Sequence, residues 1–147
     1  MIRETKGGAL EVRYESDTDI VVVVYPPGKI EEDAARIVIE ELTRFMTEKR
    51  GEPAFVLVDA RHLTGITSEA RRAFGGSGVE ARKMAESPSY ISAFGGSLVY
   101  RTLSNLLIKA VMLMSPHTVM RLDADEAASR AWLNEQRRAY LARKAQS

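Results

Sequence analysis

The sequence predicts one α/β domain across residues 1–147: a mixed sheet of about five strands with flanking helices, in the order ββαβαβαβα. Three observations carry that reading. Short apolar runs, Ile20–Tyr25 and Phe55–Val58, have the length and β-branched or aromatic content of buried strands. Between them and after them, apolar residues recur at spacings of three and four. Glycine, proline and serine clusters punctuate the change from one period to the other.

Leu10–Tyr14 alternates apolar with polar, as a strand with one solvated face does. After the turn residues Ser16–Asp19, the run Ile20–Tyr25 is apolar at every position and calls for cover on both faces, so it belongs at the centre of the sheet. The two pair as a hairpin, and Pro26-Pro27-Gly28 stops the second. From Ile30 to Arg50 a helical stripe follows: Ile30, Ala34, Ile37, Val38, Leu42, Phe45 and Met46. Glu31, Glu32 and Asp33 in its first turn and Lys49 and Arg50 in its last suit the helix dipole, with Gly51 just beyond.

Pro53–Phe74 organises the rest. Phe55–Val58 ends at Asp59, a loop closes at Gly65, and Thr67-Ser68-Glu69-Ala70 opens a helical pattern. A buried strand that delivers a polar loop to a helix N-terminus is where such sheets present their working groups. Ser68–Glu86 reads as helical around the glycines of Gly75-Gly76-Ser77-Gly78, as one helix with a soft centre or as two, with Ala70, Ala73, Phe74, Ala81 and Met84 as a thin apolar face and Ser87-Pro88 as its stop.

Tyr90–Phe94 is the next strand, cut by Gly95-Gly96-Ser97, and Leu98–Met114 is a long apolar helix stopped by Ser115-Pro116. Its stripe is too wide for one-sided packing and calls for cover by a partner chain or an apolar ligand as well as the core. Thr118–Leu122 makes a last strand. Asp123 with Glu126 reads as an acidic capping box opening a C-terminal helix whose inner face is Ala127, Ala128, Ala131 and Trp132. Arg137, Arg138, Arg143 and Lys144 crowd the far end of that helix.

Composition narrows function by exclusion. Twenty-one basic and twenty acidic side chains leave a net charge of +1, which gives no bulk attraction to nucleic acid or anionic membrane. The absence of cysteine removes disulfides, thiolate catalysis and cysteine-based zinc sites. Leu98–Met114 is shorter than a membrane span needs and carries Arg101 and Lys109, and MIRETKGGALEV has no secretory signal, so a cytoplasmic protein without a transmembrane segment is expected.

Three stretches, FVLVDARHLTGITSEARRAF at 55–74, ISAFGGSLVYRTLSNLLIKAVMLM at 91–114 and VMRLDADEAASRAWLNEQR at 119–137, resemble the SpoIIAA-like or STAS fold, and more narrowly the bacterial STAS/SEC14 domain-containing proteins. The resemblance implies a non-enzymatic regulatory or signalling module and a phosphoacceptor hydroxyl just after the third strand, at a helix N-terminus. Thr67 and Ser68 match it by position. Here no aspartate precedes the hydroxyl and no glycine follows it, and Glu69 would repel a phosphate.

The candidate sites each have a plainer reading. Thr67 or Ser68 could accept phosphate or dock a partner, or serve as an N-cap. Gly95, Gly96 and Ser97 with Arg101 could hold an anion or ligand on exposed N–H groups, or form a tight turn capped by Ser97. Asp59, His62 and Ser68 supply a triad's residue types without a nucleophile elbow, and His62 and His117 lack metal-ligand spacing. No catalytic residue, metal or cofactor is therefore assigned. The expectation is a module, homodimeric through the outer side of Leu98–Met114, that meets an unidentified protein partner through its strand-end loops. The alternative is a carrier or sensor of a small apolar, lipid-like ligand beside that helix.

Overall fold

The computed structural model describes residues 1–75, 88–114 and 117–147. Eight strands and four helices lie within them: β1 Ile2–Thr5, β2 Gly8–Glu15, β3 Ile20–Val24, β4 Gly28–Ile30, α1 Glu32–Glu48, β5 Ala54–Asp59, β6 Leu63–Ile66, α2 Ser68–Phe74, β7 Ser89–Phe94, α3 Leu98–Met114, β8 Thr118–Asp123 and α4 Glu126–Ala145. Six strands form the main sheet in the order β1-β2-β3-β5-β7-β8, and β4 with β6 makes a two-stranded sheet beside it.

The expected hairpin is β2–β3, antiparallel with Val12 opposite Val23. From β3 onward the main sheet is parallel, through β5, β7 and β8. β3 is buried on both faces, as its uninterrupted β-branched run requires. Val21 and Val23 join the larger core with α1, α2 and α3, and Ile20 and Val22 join a smaller one with Phe55, Leu57, Phe94 and Leu133 of α4. Complete burial of one such side chain contributes about 1.5–3 kcal/mol. Tyr90 stacks on Phe55 at 5.5 Å and meets Trp132 edge-on at 6.2 Å, so the α4 side is the more aromatic layer.

Three strands add to the expected order. β1 is an exposed edge strand whose polar IRET shows no alternation, because no core lies against it. β4 and β6 have three and four residues, too few for a period to show. Ile30 consequently belongs to β4, and α1 starts at Glu32. Its other end also differs: Lys49 is the C-cap and Arg50 lies beyond it, and the Lys49 ammonium pairs at 2.7 Å with Asp19 in the β2–β3 turn.

α4 corrects a second expectation. Its N-cap is Asp125, which accepts from Ala128 N at 2.8 Å, while Asp123 ends β8 and is buried. The inner face is Ser129 and Leu133 with Trp132 at its margin, and Ala127 and Ala131 face outward. α3 has the expected bounds, but the chain itself buries only its Tyr100 and Ser104 among the described side chains. The choice between one helix and two over Ser68–Glu86 turns on residues outside those described, as do Ala81, Met84, Ser87 and the Ser115-Pro116 stop; α2 itself ends at Phe74.

Candidate functional site

The C-terminal ends of β5, β7 and β8 form one rim, with Asp59, Phe94 and Asp123 in register and the Gly95-Gly96-Ser97 corner beside them; β6 starts at that corner and leads away to Thr67 and Ser68. At the centre of the rim Asp59 ends β5. Its carboxylate accepts from Arg61 N at 3.1 Å, from Nε at 3.0 and 3.2 Å, and from Nη2 at 2.8 Å. Burial raises the Asp59 carboxyl, but the bonds and charge from Arg61 outweigh it and hold the group below its ordinary value. The guanidinium lies 5.8 Å from the centre of the Phe94 ring. Asp59 is therefore committed to Arg61. Its carboxylate does not orient His62, and the Ser68 hydroxyl reaches Glu69 at 3.4 Å, so the triad types are not assembled.

The Gly95-Gly96-Ser97 corner packs directly on this pair. A Cβ on Gly95 would stand 2.7 Å from Arg61 Cα, and one on Gly96 would stand 2.3 Å from Tyr100 Cδ1. Both residues have positive φ, +82° and +92°, so glycine answers a backbone and a packing demand together. Ser97 Oγ accepts from Tyr100 N at 3.2 Å and caps α3. Three of the donors near this corner are engaged within the chain. Ser97 N donates to Leu63 O and Arg101 N to Ser97 O, both at 2.9 Å. Arg101 Nη1 donates to the carbonyls of Gly95 and Asp123, both at 3.2 Å. Arg101 thus ties the ends of β7 and β8 together.

The hydroxyl corner after β6 has one engaged and one outward hydroxyl. Thr67 is the α2 N-cap, with Oγ1 accepting from Ala70 N at 3.1 Å. Ser68 is exposed, as are Thr64, Arg71 and Arg72. Glu69 beside it is held low by its own backbone N–H, so Ser68 has an ionised carboxylate as neighbour. The four residues of β6, about 13 Å of strand, separate this corner from the glycine corner.

At the β8 end a buried network escaped sequence reasoning. Asp123 accepts from Ser92 Oγ at 2.5 Å and from Arg121 Nη2 at 2.6 Å, and Ser92 Oγ shares a 2.7 Å bond with Ser129 Oγ. The serines are 31 and 37 residues from their partners, and no local signal could have joined them. Arg121 lies 5.2 Å from the Trp132 ring centre, closing the network on the α4 side. These hydroxyls are fully buried, which makes the cluster structural.

Among the described residues, no three His, Asp or Glu side chains gather as a metal site would require. A groove of about 280 Å³ lined by Tyr14, Phe45, Glu48 and Lys49 lies at the opposite end of the sheet, beside the β2–β3 turn. Among the described residues, no helix is long and apolar enough to cross a membrane.

No family model and no curated protein matches this chain. Among solved structures it is similar to an uncharacterized protein of the DUF3478 family from Shewanella loihica PV-4, which has a SpoIIAA-like fold. Identity is 14%, the match covers 84% of this chain and 91% of that one, and the TM-score is 0.57. A likeness at that identity speaks for architecture and leaves activity to be argued from the rim. The chain has a SpoIIAA-like fold.

Proposed function

We propose that this chain is a non-enzymatic, STAS-like regulatory module that binds a protein partner through the loops at the C-terminal ends of its strands, and that it acts as a pair of chains joined through α3. One observation carries the reading. The carboxyl groups at the centre of the rim are satisfied within the chain, Asp59 by Arg61 and Asp123 by Ser92 and Arg121, while Thr64, Ser68, Arg71 and Arg72 stand outward. Partner docking centres on Ser68, because Thr67 is occupied as a cap; a phosphate on Ser68 would meet the Glu69 carboxylate and weaken the corner's present form. The glycine corner with Arg101 frames that surface.

Affinity capture from a bacterial lysate tests this, using the wild-type chain beside Ser68→Arg and a doubly substituted Arg71→Glu, Arg72→Glu chain. A specific protein retained by the wild type and lost by at least tenfold in both variants supports the reading. Retention by both variants removes the rim from the interaction.

A second reading has its own observation. The outward apolar side chains of α3 suit a small lipid-like ligand as well as a protein. Native mass spectrometry of freshly purified protein checks it: a stable adduct supports a carrier, and a bare 16.3 kDa chain counts against one.

A further inference from the structure

α3 presents the largest outward apolar stripe among the described residues. Leu98 is 81% exposed, Val99 and Leu106 60%, Met112 39% and Leu113 87%. Together they offer on the order of 550 Å², the upper end of what the largest patch on a monomer shows. Val99, Leu106 and Leu113 recur at seven-residue spacing, with Thr102 and Lys109 between them, so they form one line along the helix. The opposite face, through Tyr100 and Ser104, is buried in the chain.

Two faces of this size together remove about 1,100 Å² from water, just above the roughly 1,000 Å² that a specific interface needs. Lys109 is the one charged side chain on the line, and it selects the geometry. Parallel packing would set each Lys109 against its own copy. Antiparallel packing about Leu106 separates them by about 9 Å along the axis at 1.5 Å per residue. It also sets Val99 against Leu113 and Thr102 against Ala110. A membrane surface is a poorer occupant, because the line carries one cation and no aromatic anchor.

We infer that a second copy of this chain covers the α3 face in an antiparallel helix pair, with the two-fold axis passing beside Leu106. This rests on the pairing named under the proposed function and specifies the surface and the register that pairing uses. Helix axes 8–10 Å apart bring the two Leu106 side chains into contact on the axis. The two Leu98 side chains lie about 24 Å apart along it.

The chain has no cysteine, so a single introduced thiol reports one position. Sedimentation velocity on the full chain should give a species of twice 16.3 kDa. Leu106→Cys should give a disulfide-linked dimer on mild oxidation, Leu98→Cys should not, and Leu106→Asp should weaken self-association at least tenfold. All three variants should keep the wild-type melting temperature within a few degrees, since these positions are exposed. A monomer at all concentrations overturns both the pairing and this register. A dimer that survives Leu106→Asp and does not cross-link through Leu106→Cys keeps the pairing and overturns the α3 interface. Cross-linking through Leu98→Cys in preference to Leu106→Cys overturns the antiparallel register. Monomers that sediment with anionic vesicles assign the face to membrane and overturn the inference.

Discussion

The rim has two strand-to-helix corners built with the same cap and opposite surroundings. After β6, Thr67 caps α2 at 3.1 Å; after β7, Ser97 caps α3 at 3.2 Å. The capping chemistry is equivalent, but space differs. At the second corner Gly95 and Gly96 press against Arg61 and Tyr100, whereas a Cβ on Gly65, near the first, would meet only the Lys29 side chain, at 3.5 Å. The second corner, half-exposed as it is, leaves no room for a side chain on either glycine and so fixes the elements it joins. At Gly65 the only side chain in the way is a flexible lysine, which can give, so substitution near the first corner is tolerated.

The largest expected effect contrasts glycines at the two corners. Gly96→Ala must displace the Tyr100 ring and hold alanine at φ +92°, and Gly95→Ala must displace the Arg61 backbone. Each should cost about 2–4 kcal/mol in urea unfolding. Gly65→Ala should stay within about 1 kcal/mol. Equal losses at Gly96 and Gly65 would erase the distinction between the corners.

Next in size is the ion pair beneath the glycine corner. Asp59→Asn should cost about 1 kcal/mol at neutral pH, since Arg61 is largely exposed and its charge is screened. The folded carboxyl titrates below its ordinary 3.8, so its contribution is present above that value and lost as pH falls through the lower folded one. Acid titration of stability should therefore be steeper below pH 4 for the wild type than for the variant. Parallel curves would show that the pair contributes nothing.

The caps come third. Thr67→Ala and Ser97→Ala should each cost about 1 kcal/mol, and the two losses should agree within a few tenths, because the two bonds match in length. A loss at Ser97 twice that at Thr67 would mean that packing at the glycine corner strengthens its cap. Smallest of all is Ser68→Ala, expected within about 0.5 kcal/mol by thermal unfolding. A larger cost would make Ser68 a structural residue and count against the proposal that a partner docks there.

Much of this architecture was legible because its determinants are local. β3 announced itself by five β-branched residues, α1 by its stripe, and α3 by glycines before it and an apolar run through it. The rim was legible in outline for the same reason, since a strand followed by a hydroxyl and a helix is a short-range pattern. Partners far apart in the chain were not. Asp123 beside Glu126 looks like a capping box, yet its carboxylate is drawn to Ser92, 31 residues away, and Asp125 takes the cap. Glu15 is a second case: a hydrogen-bonded pair with Arg130, 115 residues on, lowers its carboxyl to about 2. β1 and β6 were missed because an edge strand needs no periodicity and a four-residue strand cannot show one.

The serine–aspartate cluster on the other side of the sheet has a geometric corollary for α4. Leu133 and Trp132 decide which side of that helix is inward, but contacts between aliphatic and aromatic groups tolerate some rolling. Ser129 does not. A turn of about 100° about the helix axis would put Ala128 or Arg130 where its hydroxyl now meets Ser92, breaking a directional bond in a dry interior. The twenty-residue helix is keyed to the sheet from inside by the Ser129 oxygen, and from outside by the Arg130 guanidinium on Glu15, so neither face can roll without breaking a directional bond.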